Sequence, residues 1–300
     1  MTARTDDQAI AHNRAAHDRV GGAYDAGHPE IFNETEQARL ADAVSRMVGL
    51  VGPDRRVAQE GHVGRVGLDG LVAQPRVPIE VLDVGTGTGN LVRHFLAHDV
   101  RVTATDLSTA LLQEVRGRFA ATGRVATALL NGRDLQPLAD GQFDIAATYS
   151  VLHHVPDYIT LVQEMARVVR PGGVVYIDHE RSDESWASES YREFLREAVV
   201  WPRRQWWFFL QPSRYWKRIS PLVEWRRWRN PRWMPEGDLH IWPDDHIEWA
   251  KVRAALEAAG CSIEVQEDYL LFEARYDRGA WERWRGRTSD MRMLVARKRA

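Results

Sequence analysis

The chain has 300 residues, of which 44% are hydrophobic and 27% are charged, and its formal net charge is −2. This composition suits one elaborated globular domain or two small ones, and it excludes a whole-chain electrostatic attraction to nucleic acid or membranes. The one cysteine, Cys261, excludes an intramolecular disulfide framework. No apolar run reaches about eighteen residues and the first residues lack a secretory pattern, so we expect a cytoplasmic protein without a transmembrane segment.

The first 78 residues predict a helical segment ahead of the main domain. Within residues 34–50, Leu40, Val44 and Met47 recur at helical spacing, which predicts an amphipathic helix. Residues 51–78 are rich in Gly and Val without a clear period, and we expect a loop or a small excursion there.

Strand and helix patterns alternate from residue 79 to residue 180. Their spacing predicts βαβ units and a parallel sheet with helices on both faces. The helix that follows Pro156 should take Asp157 as its N-cap and end at residues 170–173. The predicted strands are IEVLDV (79–84), RVTATD (101–106), RVATALL (124–130), FDIAATYS (143–150) and VVYID (174–178), and the other helices span 90–98 and 108–120.

The alternation stops at residue 181 and resumes near residue 243, so residues 181–242 are interpreted as an insertion after the fifth strand. Asp245 and Glu248 should form a capping pair for the helix of residues 246–260, and Gly260 should end it. Two strand-like runs, residues 261–276 and 290–298, then complete the α/β core within a C-terminal part that spans 243–300.

The first strand leads into a glycine-rich turn, Asp83-Val84-Gly85-Thr86-Gly87-Thr88-Gly89-Asn90. Glycines at such a turn let the backbone approach a ligand closely, next to a helix N-terminus that favours polar or anionic groups. A nicotinamide dinucleotide site would require glycine at position 90, which is Asn. The D-x-G-x-G-x-G pattern, followed by Asp106 at the end of the second strand, is much stronger evidence for a ligand site than the glycines alone.

Four sequence blocks in the same order carry a family resemblance. VLDVGTGTGN, TATDLS, DGQFDIAATYSVLHHVPD and VVRPGGVVYI resemble the class I S-adenosylmethionine-dependent methyltransferases, particularly the small-molecule branch that includes the quinone-biosynthesis enzymes. The resemblance covers roughly residues 79–178 and, more weakly, 243–297. It implies a Rossmann-like α/β fold, a seven-stranded sheet whose last strand is antiparallel, and S-adenosylmethionine as cofactor.

The resemblance also implies roles for individual residues at the cofactor. The three turn glycines would line its methionine and ribose, Asp83 would reach its ammonium group, and Asp106 would accept hydrogen bonds from both ribose hydroxyls. The usual adenine-contacting acid falls on Gly132, and Asp134 is the candidate substitute. Tyr24 resembles an N-terminal tyrosine that closes over the cofactor, although an exposed aromatic in an N-terminal arm fits equally. The predicted cofactor-binding residues are Tyr24, Asp83, Gly85, Thr86, Gly87, Gly89, Asp106, Leu107, Asp134 and Ser150.

Methyl transfer from a sulfonium needs alignment and a deprotonated acceptor. Residues 149–154, YSVLHH, replace the Asn/Asp-Pro-Pro-aromatic block of enzymes that methylate nucleobase amino groups or glutamine amides, so those acceptors are not expected. Side chains at the ends of the fourth and fifth strands face the site in such sheets. The catalytic candidates are therefore His153, His154, His179 and Glu180. A metal site of Asp178, His179, Asp238 and His240 lacks a recurring ligand spacing, and no metal is expected.

Residues 201–233 hold seven tryptophans and nine Lys or Arg residues against a single acid, Glu224. They could pack on the sheet edge as a satellite core, bind nucleic acid or an anionic membrane surface, or cap the acceptor pocket with aromatic walls and Arg anion donors. Their place after the fifth strand favours the substrate cap. The predicted substrate-binding residues are Arg203, Arg204, Trp206, Trp207, Arg214 and Tyr215.

Together these patterns predict methyl transfer from S-adenosylmethionine to a small molecule, first of all to a hydroxyl of a natural-product or sugar-like acceptor. One alternative is C-methylation of an isoprenoid diphosphate or lipid-like acceptor, because tryptophan faces stabilise cations and arginines bind diphosphate. An alternative of another class is a non-catalytic module that binds cofactor or nucleic acid. A small-molecule partner is expected, and nucleic acid is not.

Overall fold

The computed structural model describes residues 6–60, 77–200, 240–242 and 245–300. Its centre is a seven-stranded sheet in the order β3-β2-β1-β4-β5-β7-β6. Strand β7 runs antiparallel to both of its neighbours, whereas the remaining pairs are parallel, as the sequence predicted. The strands are β1 Ile79–Val84, β2 Val100–Asp106, β3 Val125–Leu129, β4 Phe143–Tyr149, β5 Val169–Arg181, β6 Cys261–Tyr269 and β7 Met291–Lys298.

Helices cover both faces of the sheet in the described residues. Strand β4 is buried along its whole length, which is the pattern of a central parallel strand covered on two sides. Apolar side chains of α3 and α4 form the core on one face, and those of α6 and α9 form it on the other. The helices are α1 Asp6–Val20, α2 Tyr24–Gly27, α3 Glu34–Glu60, α4 Asn90–Phe95, α5 Thr109–Phe119, α6 Tyr158–Val168, α7 Glu184–Ala187, α8 Glu189–Ala198, α9 Trp249–Ala258 and α10 Arg278–Trp284.

The N-terminal half of the domain follows the sequence prediction closely. The first four strands differ from it by no more than one residue at either end. Asp157 caps α6 as predicted, because its carboxylate accepts a hydrogen bond from the Thr160 amide at 3.0 Å. Ser108 caps α5 in the same way. Local signals are sufficient here because each strand and cap is specified by adjacent residues.

Helix α3, helix α4 and strand β5 have bounds other than those predicted. Helix α3 continues to Glu60, where a loop was predicted from residue 51, and α4 ends at Phe95 rather than at residue 98. Strand β5 spans Val169–Arg181 instead of 174–178, because it pairs with β4 at its start and with β7 to its end. Residues 179 and 180 therefore lie inside the strand and not beyond it.

The predicted insertion begins with ordered helices. Helices α7 and α8 follow β5 directly, and α8 packs against α10 through a small core around Phe194, Tyr276 and Trp281. The strand predicted over residues 261–276 is too long, because β6 ends at Tyr269, and the sequence prediction assigned no element to the residues of α10. The stretch 201–233, with all six predicted substrate-binding side chains, lies outside the described residues.

The predicted capping pair at α9 is wrong. The helix begins at Trp249 after Glu248, whose side chain makes no capping hydrogen bond. Asp245 instead approaches the imidazole of His240, with Oδ1 2.5 Å from Nδ1. Gly260 follows the helix with φ of +82°, as predicted. None of the described helices has the length and apolar character needed to cross a membrane.

Candidate cofactor and acceptor site

The turn after β1 holds its three glycines in left-handed conformations, with φ of +71° at Gly85, +54° at Gly87 and +92° at Gly89. Glycine adopts this region without the strain that a Cβ imposes. A Cβ on Gly85 would lie 2.5 Å from Val151, and one on Gly89 would lie 2.5 Å from Phe119. A Cβ on Gly87 would meet nothing within 4 Å. Gly87 thus borders open space that a ligand can enter, whereas Gly89 permits close packing of α4 and α5.

A cavity lies over this turn at the carboxyl ends of β1, β2 and β4. Asp83 and Gly89 do not line it, although the other predicted cofactor residues do. These eight residues, out of the ten predicted, are Tyr24, Gly85, Thr86, Gly87, Asp106, Leu107, Asp134 and Ser150.

Asp106 is placed to bind a ribose. It is 5% exposed, and its two carboxylate oxygens accept hydrogen bonds from the Gly87 amide at 3.0 Å and from the Ser108 amide at 2.8 Å. Each oxygen keeps a lone pair that a diol hydroxyl can use. Burial raises the pKa of Asp106, against the lowering effects of His17 and of these amides. The carboxylate, the open space at Gly87 and the apolar wall formed by Leu107 fit a nucleoside with an aminoacyl tail.

Asp83 lies behind the cavity wall instead of in it. Its side chain is 1% exposed and accepts a hydrogen bond from the Thr86 hydroxyl at 2.6 Å. Burial raises the pKa of Asp83 to about 7, opposed by the Thr86 hydrogen bond and assisted by the charge of Asp106. An influence of Asp83 on a bound ammonium group would pass through Thr86, which does line the cavity.

Helix α1 covers the other side of this cavity with Ile10, Asn13 and His17. Its end is tied to the start of α5, since the Ser108 hydroxyl donates to Asp18 at 2.6 Å. The sequence analysis did not find this helix, because its buried residues include two alanines and an asparagine and no apolar stripe. Asp134, the predicted adenine-side acid, lines the cavity as well and accepts a hydrogen bond from Asn131 at 2.7 Å.

A second cavity adjoins the first at the ends of β4 and β5. The two share His17, Tyr24, Ile31, Ser150 and His154 in their walls. Of the four predicted catalytic residues, all three histidines line this second cavity, and Glu180 does not. We call it the acceptor cavity, because it shares a wall with the cavity of Asp106 and the glycine turn but has neither of them in its own lining.

His179 sits at an irregularity of β5 with a left-handed backbone, φ +60°. For a residue with a Cβ this conformation is unusual, and such strain is concentrated at functional positions. Its Nδ1 lies 2.9 Å from the hydroxyl of Tyr149, which donates to Glu36 Oε1 at 2.8 Å. Arg39 binds Glu36 at 2.6 Å and Asp178 at 2.8 Å, so α3 is joined to the ends of β4 and β5.

The shifted pKa values of Glu36 and Tyr149 indicate which of these buried groups is ionised near pH 7. Burial alone would raise the pKa of Glu36, but the interactions with His179 and Arg39 outweigh it and lower the pKa to about 2. Burial and the neighbouring carboxylates hold the pKa of Tyr149 well above its ordinary value. Glu36 is therefore ionised and Tyr149 neutral near pH 7. Because Tyr149 donates its proton to Glu36, its oxygen can accept a hydrogen bond from His179 when the imidazole carries a proton on Nδ1.

Glu180 has no exposed surface, and its carboxylate is fully engaged. Oε1 accepts hydrogen bonds from the amides of Val151 and Leu152 at 2.8 and 2.7 Å, and Oε2 lies 2.8 Å from His153 Nδ1. The side chain predicted as a candidate base thus orients His153 and organises the turn after β4.

Three histidines from two distant segments meet at the acceptor cavity. The rings of His153, His154 and His240 have centroids 4.1 to 4.9 Å apart, and the Ile241 amide donates to the carbonyl of His153 at 3.0 Å. Burial would raise the pKa of Asp245, but His240, His153 and Arg181 lower it to about 2. The metal set considered from the sequence does not assemble in the described residues, because Asp178 faces Arg39, and Asp238 lies outside them.

Comparisons with known proteins agree with this geometry. Residues 82–177 match the family model Methyltransf_11, a methyltransferase domain. Over 100 residues the chain is 36% identical to a malonyl-[acyl-carrier protein] O-methyltransferase of Pseudescherichia vulneris, covering 33% of this chain and 38% of that protein. Over 148 residues it is 28% identical to a ubiquinone biosynthesis O-methyltransferase of Xanthomonas campestris pv. campestris (strain B100), covering 49% and 61%.

A solved structure, that of the [4+2]-cyclase SpnF, superposes with a TM-score of 0.52 at 19% identity, covering 100% of this chain and 98% of that one. The strand order, the glycine turn with Asp106 and the matched family model define the class as S-adenosylmethionine-dependent methyltransferases with a Rossmann-like fold. The predicted fold, class and cofactor are confirmed. The matches span less than two thirds of the length of the two O-methyltransferases.

Proposed function

We propose that this protein transfers a methyl group from S-adenosylmethionine to a hydroxyl of a small molecule, with His179 as the general base. The observation that carries the proposal is the junction of the two cavities. One cavity contains the glycine turn and Asp106, the other contains His179, and they share a wall at Ser150 and His154. A methyl group held in the first would face an acceptor held in the second.

The cofactor-binding residues would contribute by binding and orienting S-adenosylmethionine. Asp106 would accept hydrogen bonds from the ribose hydroxyls, and Leu107 and Asp134 would border the adenine. Gly87 leaves room for the aminoacyl part, whose ammonium group Asp83 would influence through Thr86. S-adenosylmethionine, when bound, supplies an electrophilic methyl group on its sulfur. Helix α1 would keep water from this side of the cavity, because Ile10 and Asn13 lie in its wall.

The hydrogen bonds around His179 support its proposed role as the base. With its proton on Nδ1, the imidazole donates to Tyr149, and Tyr149 donates to the ionised Glu36. Nε2 then carries the lone pair that can take the proton of an acceptor hydroxyl as its oxygen attacks the methyl carbon. Histidine titrates near neutral pH, which suits this role. The negative charge of Glu36 would stabilise the imidazolium that forms.

A hydroxyl acceptor is favoured over the alternatives. Both relatives described above are O-methyltransferases, and a positioned base helps most when the acceptor must lose a proton. The C-methylation hypothesis depends on residues 201–233, so no described contact supports it. A non-catalytic role is not favoured, because residues 82–177 match a methyltransferase domain and both relatives described above are methyltransferases.

The substrate cap stays a prediction. The described ends of the segment lie at Val200, whose amide donates to the Arg275 carbonyl, and at His240 beside His153. If residues 201–233 hold an anionic acceptor, Arg203→Ala or Arg204→Ala should raise KM, more strongly at low ionic strength where charges are less screened. The alternative outcome is a KM that does not depend on salt and that rises only in the Trp206→Ala and Trp207→Ala variants. This outcome would indicate a neutral aromatic acceptor.

The central test is turnover of methyl-labelled S-adenosylmethionine with panels of phenolic, sugar, acyl and isoprenoid diphosphate acceptors. We expect label in an ether or ester product and S-adenosylhomocysteine as co-product. Label in a new carbon–carbon bond would replace the hydroxyl proposal with C-methylation. Tight S-adenosylmethionine binding without transfer to any acceptor would contradict both and favour a non-catalytic module.

A further inference from the structure

The three-histidine cluster of His153, His154 and His240 has the features of a metal site. One ring nitrogen of each residue lies within 4.8 Å of one ring nitrogen of each of the others. Imidazole nitrogens bind zinc at about 2.0–2.1 Å, which places ligands of a tetrahedral ion about 3.3 Å from one another. Small rotations of the side chains would bring the three nitrogens to that spacing.

Carboxylates hold two of the three imidazoles at Nδ1. Glu180 Oε2 lies 2.8 Å from His153 Nδ1, and Asp245 Oδ1 lies 2.5 Å from His240 Nδ1. A carboxylate on one ring nitrogen fixes the tautomer, orients the ring and raises the basicity of the other nitrogen, and this arrangement is typical of metal-binding histidines. With Nδ1 held by its carboxylate, each of these two imidazoles would offer Nε2 to a metal ion.

The surroundings hold these carboxylates in place. Glu180 is anchored by the amides of Val151 and Leu152, so the position of His153 is set by the backbone after β4. Arg181, a cation in the wall of the same cavity, has its guanidinium 3.3 Å from Asp290. Its charge is therefore partly balanced by Asp290.

The cluster also borders the two cavities in which cofactor and acceptor are proposed to bind. All three histidines line the acceptor cavity, and His154 lines the cofactor cavity as well. Among the described residues, three histidines offer ligand atoms here. Catalytic zinc typically has three protein ligands and binds water or substrate at the fourth position, whereas structural zinc has four protein ligands.

We propose that His153, His154 and His240 bind a divalent transition-metal ion, of which zinc is the best match, at the edge of the acceptor cavity. The role of the ion rests on the proposed function. It would coordinate the acceptor oxygen, lower the pKa of that hydroxyl and assist the removal of its proton by His179. The binding of the ion itself does not depend on methyl transfer.

The test uses the full chain, stripped of metal with a chelator and titrated with Co²⁺, whose visible absorption reports its coordination. We expect one Co²⁺ per chain, bands of a four- or five-coordinate ion, and their loss when Zn²⁺ is added. His154→Ala and His240→Ala should each weaken Co²⁺ binding by at least about 100-fold. Asp245→Asn, which removes only the orienting carboxylate, should weaken it about 10- to 100-fold.

The matched control is His98→Ala, because that imidazole bonds to Ser45 away from both cavities, and it should bind Co²⁺ like the unmodified protein. Absence of stoichiometric binding, or equal binding by the His154→Ala and His240→Ala variants, would overturn the proposal. Thermal unfolding of each variant excludes misfolding as the cause of a loss. Calorimetry with S-adenosylhomocysteine on the same samples reports the cofactor site separately, so failure of the proposed function and failure of the metal site give different results.

Discussion

The cofactor side and the acceptor side of this protein are built in different ways. The cofactor side is mostly backbone, a turn of residues 85–89 whose amides and open spaces shape the cavity, completed by Asp106. The acceptor side is made of side chains from separate segments, with Glu36, Tyr149 and His179 in one hydrogen-bonded chain. A backbone site tolerates little change of conformation, whereas a side-chain network can be altered one group at a time. Substitutions on the two sides should therefore separate binding from chemistry.

The largest effect is expected on the acceptor side. His179→Asn keeps a residue that adopts left-handed backbone readily but removes the base, so kcat should fall about 10²–10⁴-fold. Cofactor affinity, measured by calorimetry with S-adenosylhomocysteine, should not change. The His98→Asn variant serves as control and should keep full kcat. A normal kcat for His179→Asn at every pH would show that alignment alone carries the reaction.

A smaller effect is expected at Asp106, and it should appear in cofactor affinity instead of kcat. Asp106→Asn removes the charge that strengthens the ribose hydrogen bonds, and S-adenosylhomocysteine affinity should fall about 10- to 100-fold, equivalent to ~1.5–3 kcal/mol. At saturating cofactor, kcat should remain within a few-fold of normal. Unchanged affinity would remove Asp106 from the ribose site, and a lost kcat at saturation would break the division between the two sides.

Glu36 links the acceptor side to folding stability. Its pKa in the folded protein is lowered to about 2 from the ordinary value of 4.5, so its contribution is present above pH 4.5 and is lost as the pH falls towards 2. Between pH 6 and pH 3 the unmodified protein should lose on the order of 2 kcal/mol more unfolding free energy than Glu36→Gln. Urea unfolding at both pH values measures this difference. Parallel losses in the two proteins would show that Glu36 is not held ionised by Arg39 and His179.

The smallest effect is expected at Asp83, whose pKa burial raises to about 7. A bound ammonium group should favour the ionised form, so cofactor binding should release up to about half a proton near pH 7 and tighten as the pH rises from 6 to 8, by at most about tenfold. Calorimetry in two buffers with different ionisation enthalpies counts the released protons. Asp83→Asn should abolish the release while Thr86→Val, which keeps the carboxylate, should not. Equal proton release by the Asp83→Asn variant would assign it to another group.

Much of the cofactor side could be predicted from the sequence because its parts are local. The acid before the turn, the alternating glycines and the acid ending the next strand are each read from a few neighbouring residues, and eight of the ten predicted cofactor residues line the cavity. The exceptions, Asp83 and Gly89, are in the correct turn, but their orientation depends on packing against Thr86 and Phe119.

The sequence by itself determined the α/β class, the strands of the core and the glycine turn, since periodicity, caps and turn residues act over short distances along the chain. The S-adenosylmethionine class followed from the resemblance of four sequence blocks to a known family. Only the tertiary structure decided which side chains meet at the acceptor cavity. Glu36 reaches Tyr149 across 113 positions, and His240 joins His153 across 87. No local pattern encodes such contacts. They follow from the order in which the strands pair and from burial, because a buried charged group destabilises the fold unless it is paired and hydrogen-bonded.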